Sequence, residues 1–104
     1  MSHKLNIDGM YDIFKECVKL GEEKSRAYSN KVDVISITGV EGISIRLVDK
    51  VLRMHSLVSQ NKTTSGDESM IDTLQDIINY STYGILLLQN KWSINENINS
   101  KVKI

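Results

Sequence analysis

Charged side chains recur at helical spacing in two neighbouring stretches, and this pattern limits what the chain can fold into more than any other feature. In the run 46–53, Arg46, Asp49, Lys50 and Arg53 fall within about 100° of one another on a helix. In the run 68–80, Glu68, Asp72 and Asp76 repeat every four residues and share one side of the next helix. Two helices joined by a modest loop pack antiparallel, so a cationic ridge can face an anionic one.

Apolar residues supply the faces on which such helices pack. The spacing predicts a first helix over 9–28, capped by Asp8, with Met10, Ile13, Phe14, Cys17, Val18 and Gly21 on its inner side. Glu16 and Glu23 lie two turns apart on its flank, within reach of a cation, although a solvated face accounts equally for charges there. Residues 29–37 alternate loosely but have no partner strand, so an extended connection over the core is expected. Thr38 and Glu41 form a capping-box pattern that opens a second helix, with Val40, Ile43, Leu47, Val51, Met54 and Val58 as its stripe to about Gln60. The apolar-free segment 59–66 reads as a loop. Ser65 and Glu68 repeat the capping box and start a third helix to about Lys91, with Ile71, Leu74, Ile78, Ser81, Ile85 and Leu88 as its stripe. Ser81 and Gly84 are small enough to admit another helix, including one from a second subunit.

The expected fold is therefore all-α: an antiparallel bundle of three main helices, completed by oligomerisation. Residues 1–92 form its single domain, with Trp92 as a helix-end anchor. Residues 93–104 form a polar tail, either flexible or docked on a neighbour through Ile94, Ile98 and Val102. A chain of 104 residues buries less than about 70% of its unfolded surface, which makes association a natural source of stability.

Composition removes several classes of function. Thirteen basic and thirteen acidic side chains cancel, so the chain lacks the global attraction that a nonspecific binder of duplex nucleic acid relies on. Cys17 is the only cysteine, which excludes an internal disulfide and a four-cysteine zinc site, and it reads as an inert core thiol. The longest apolar run, Ile85 to Leu88, is far short of the roughly 20 residues that cross a bilayer. No secretory leader is evident, so a cytoplasmic location is expected. Neither His3 nor His55 has a motif around it.

The two charged ridges admit two readings. Carboxylates one helical turn apart can share a hard cation such as Mg²⁺, and paired guanidiniums hold phosphate oxygens in a bidentate fork. On that reading Arg46 and Arg53 clamp phosphate, Lys50 adds a point charge, and Tyr80 stacks on a base or bonds a ribose. On the other, the ridges are salt bridges and Tyr80 is structural.

These runs, Ile45 to Arg53 and Glu68 to Tyr80, resemble the phage and bacterial family called nucleotide modification associated domain 1. That family in turn looks like a branch of the all-α nucleotide pyrophosphohydrolases, the MazG and dimeric dUTPase group. Upstream, Lys24-Ser-Arg-Ala-Tyr28 is similar to the family's short polar motif ending in tyrosine. The resemblance implies a dimer or tetramer in the cytoplasm of the bacterial host, handling nucleoside triphosphates with Mg²⁺ between helices. It implies Glu68, Asp72 and Asp76 as catalytic groups and Asp49, Asp72 and Asp76 as metal ligands. Arg46, Lys50 and Arg53 become phosphate ligands, and Tyr28 and Tyr80 nucleotide contacts. The active enzymes carry Glu-Glu-x-x-Glu where this chain has Asp49-Lys50-Val-Leu-Arg53. Two anions replaced by two cations change the local charge by about four units, which weakens metal binding. The expected function is nucleotide binding with Mg²⁺-dependent pyrophosphohydrolysis, or else noncatalytic sequestration of a nucleotide in evading host defence, or an oligomeric helical adaptor.

Overall fold

The structure is a computed structural model and describes residues 4–27, 34–64 and 66–92. These residues form three helices, α1 (Ile7–Ala27), α2 (Val34–Ser59) and α3 (Glu68–Leu88), with no strand among them. The all-α expectation holds.

Local chemistry sets the helix ends. The α1 start is capped by Asn6, whose Oδ1 accepts from the Gly9 amide at 2.9 Å, so Asp8 lies inside the first turn and is not the cap. There its charge still suits the positive end of the helix dipole. α2 begins earlier than the capping box implied, because residues 34–37 are helical and not extended. Thr38 does not cap: its hydroxyl donates to the Val34 carbonyl at 2.7 Å. The interruption falls one residue later, at Gly39, whose φ of 64° and ψ of −147° only glycine adopts without strain. α3 is capped by Asp67, whose Oδ1 accepts from the amides of Ser69 and Met70 at 3.0 and 3.4 Å. Ser65, the expected cap, lies outside the described residues.

α2 and α3 run antiparallel. Ile43 sits beside Gly84, Lys50 beside Asp76, and Ser36 beside Trp92. The α2 residues that meet α3 are Ile43, Lys50 and Leu57, spaced by seven, with both apolar ones buried. On α3 the buried residues are Thr73, Asn79 and Gly84. Gly84 matters because a Cβ there would stand 3.4 Å from Ile43 Cγ2, so the two helices approach where α3 is smallest. Its small side serves α2 of the same chain and not a second subunit. Trp92 anchors the far end, donating from Nε1 to Ser36 Oγ at 3.0 Å and packing on Tyr83 with ring centroids 4.9 Å apart.

α1 packs on α3 over a shorter stretch. Cys17 is buried there, and its carbonyl accepts a 3.1 Å hydrogen bond from Asn79 Nδ2. Gly21 lets Tyr83 approach: a Cβ at position 21 would lie 2.7 Å from the phenol oxygen.

The expected α3 stripe is not the core. Ile71, Leu74, Ile85 and Leu88 are exposed, as are Val40, Val51 and Val58 of the expected α2 stripe and Phe14 and Val18 of α1. The reason is visible at Lys50 and Asp76. Their mutual neutralisation brings two charged groups to the helix seam, and the small Thr73 and Gly84 draw α2 to that side of α3. Because the helices are antiparallel, the unused stripes of α2 and α3 come to lie on one side of the pair, away from α1.

Candidate functional site

On the side of α3 that receives α1, three charged groups from three helices converge. Asp76 Oδ1 is 2.8 Å from Lys24 Nζ of α1, and Asp76 Oδ2 is 2.9 Å from Lys50 Nζ of α2. The carboxylate is 17% exposed, Lys50 28% and Lys24 50%, so the triad grades from a shielded floor to an open rim. Burial alone would push the Asp76 carboxyl up. Hydrogen bonds from Lys24 and Lys50, with their positive charge, outweigh it and hold the carboxyl below 3.8. The hydrogen bond to Asp76 is the main reason that the Lys24 ammonium is held above 10.5, despite opposing burial.

Beside the triad stands an aromatic wall. Tyr80, half-buried, meets Tyr83 edge-on with centroids 6.0 Å apart and an interplanar angle of 85°. Burial, opposed by the nearby Lys24, pushes the Tyr83 phenol up, so it stays protonated at neutral pH. Burial and the neighbouring Glu16 raise the Cys17 thiol, in keeping with an inert core residue.

Of the expected ridges, a single rung forms, Lys50 to Asp76. Arg46 and Arg53 lie one turn before and one turn after Lys50, are exposed, and make no ion pair among the described residues. Glu68, in the first turn of α3, and Asp72 are exposed and likewise unpaired there. Asp49 is exposed on the flank of α2. Among the described residues no three His, Cys, Asp or Glu side chains come together as a metal-holding group. Asp49, Asp72 and Asp76 therefore do not assemble into a ligand set within the protomer, and both oxygens of Asp76 already serve ammonium groups. Tyr28 lies outside the described residues.

Two participants were not anticipated. Lys24 lies three residues after Gly21 and seven after Cys17, on the face that meets α3. That spacing is a signal, but a lysine continuing an apolar stripe reads as its solvated edge. Tyr83 and Asn79 are likewise set by where α1 crosses α3, which periodicity on α3 alone does not reveal.

The stretch that supplies Lys50, Asp76 and both arginines is the α2–α3 hairpin beyond the Gly39 bend. Residues 40–88 match the model of the nucleotide modification associated domain 1 family. The match to nucleotide modification associated domain 1 begins next to the Gly39 bend and ends with the last residue of α3, so it covers the two-helix unit and leaves α1 outside. No curated protein and no solved structure matches the chain. Among the described residues no helix is long and apolar enough to cross a membrane.

Proposed function

We propose that the cleft floored by Asp76 and walled by α1 and α2 binds the phosphate groups of a nucleotide. The observation that carries this reading is that ammonium groups from two separate helices converge on both oxygens of one shielded carboxylate. Groups arranged to hold a carboxylate oxygen pair suit phosphate oxygens equally well. Arg46 and Arg53 flank Lys50 with their guanidinium donors uncommitted among the described residues, ready for bidentate contact. Four cations around one coordinated carboxylate make a locally positive site on a chain with no net charge. The description of the family matched over 40–88 favours a nucleotide as the source of the phosphate.

The carboxylates do not form a metal cluster within the protomer, and no catalytic step is assigned to Glu68, Asp72 or Asp76. This favours binding without turnover over pyrophosphohydrolysis. Calorimetric titration with nucleoside mono-, di- and triphosphates, in chelator and in Mg²⁺, tests the reading. Affinity is expected to rise with phosphate number and to persist in chelator. Arg46→Gln and Arg53→Gln, both at exposed positions, are expected to weaken binding roughly 10- to 100-fold each, the scale of a charge-assisted hydrogen bond. Absence of binding at millimolar nucleotide would leave only a helical adaptor, whereas pyrophosphate release in Mg²⁺ would restore the hydrolase.

A further inference from the structure

We propose that the uncharged side of the α2–α3 pair, away from the cleft, is the contact between two copies of this chain, with the α2 helices antiparallel about a two-fold axis at Val48. This side carries apolar residues from both helices: Val48 is 56% exposed and Ile85 55%, with Val51 and Leu74 also open. Solvent exposure on this scale is a property of the whole chain. It presents 8273 Å², where a folded monomer of 11.8 kDa presents about 5,900 Å². A third of the surplus would suffice for a standard interface of about 800 Å² per partner.

The occupant is identified by the charges at the ends of the α2 stripe. Glu41 and His55, both exposed, lie seven residues before and seven after Val48, so all three share one line along the helix. When two such helices pair antiparallel about Val48, residues equally far before and after it face each other. Glu41 then meets His55 of the partner subunit, and the reciprocal pair forms at the other end. Ser44 faces Leu52 of the partner subunit, small against large. A parallel pairing in the same alignment would set glutamate against glutamate. The stripe is therefore self-complementary in the antiparallel sense, and a second copy fits it better than an unrelated apolar helix.

Sedimentation equilibrium of the full chain reads the outcome, with circular dichroism to confirm folding. The chain is expected at twice its 11.8 kDa mass. Val48→Glu, which sets two carboxylates together on the axis, is expected to raise the dimer dissociation constant by about a hundredfold or more. Glu41→Lys should also weaken the dimer, and the exchange Glu41→His with His55→Glu should retain it. Where Val48→Glu fails to fold, Val48→Cys decides. A short bis-maleimide should couple two copies through position 48, whereas the wild type, whose Cys17 is buried, should not couple. A monomeric wild type, an oligomer indifferent to Val48→Glu, or no coupling through Val48→Cys overturns the proposal. A monomer would leave the carboxy-terminal segment 93–104 as the cover for this side. Nucleotide binding in the cleft is read separately, so failure of either idea does not decide the other.

Discussion

Replacing Asp76 by asparagine removes the one negative charge that joins all three helices, at almost unchanged volume. Two interactions are lost, at 2.8 and 2.9 Å. Lys24 is half in water, so its pair contributes what a surface ion pair does, about 0.2–1 kcal/mol. Lys50 is mostly shielded, and a hydrogen bond between charged groups in that setting contributes about 1.5–3 kcal/mol. Together the loss is about 2–4 kcal/mol, a fall in Tm of roughly 10–25 °C for a chain of this size. The pH dependence fixes the cause. The Asp76 carboxyl is held below its unfolded value of 3.8, so its contribution is fully present above that pH and is lost as pH falls through the folded-state value. Urea unfolding followed by circular dichroism at neutral pH and at successively lower pH should show a wide gap between wild type and Asp76→Asn that closes in acid. Equal midpoints at neutral pH, or a gap undiminished in acid, would refute the role given to the triad.

Three further substitutions test the frame around the site by the same unfolding assay. Asn79→Ala removes the buried amide that donates to the Cys17 carbonyl and should cost about 1–2 kcal/mol, loosening α1 first; amide exchange in α1 faster than in α2 would show this. Gly39→Ala forces an L-residue into a conformation at φ 64° and should cost about 1–3 kcal/mol, although nothing lies within 4 Å to clash with it. A stability unchanged by that substitution would mean that the bend is not where the structure puts it. Asp67→Ala deletes the α3 cap and should cost about 1 kcal/mol, whereas Asp67→Asn should cost little.

How much was legible beforehand differs by level. Helical period and breaker residues placed all three helices to within a few residues, apart from the start of α2, because 3.6-residue periodicity is a local property. The helix caps were misplaced, since Asn6, Asp8, Asp67 and Ser65 are all competent cap residues and the choice among them depends on where the chain arrives. The packing faces of α2 and α3 were read about a quarter-turn away from where they lie. Counting apolar residues points to Leu74 and Ile85, whereas the seam runs through Lys50, Thr73 and Gly84, where neutralised charge and small size favour contact. Lys50 and Asp76 were both selected from spacing, yet the third member, Lys24, depends on a tertiary crossing that no local pattern carries.

The account rests most heavily on phosphate entering the space between Lys24 and Lys50. The most direct measurement is a titration of the isotopically labelled chain with inorganic triphosphate in chelator, following the lysine side-chain and backbone resonances. The account predicts saturable shifts at Lys24, Lys50, Arg46, Arg53 and Asp76, with the apolar stripe around Val48 undisturbed. Shifts absent throughout, or confined to residues away from Asp76, would contradict it.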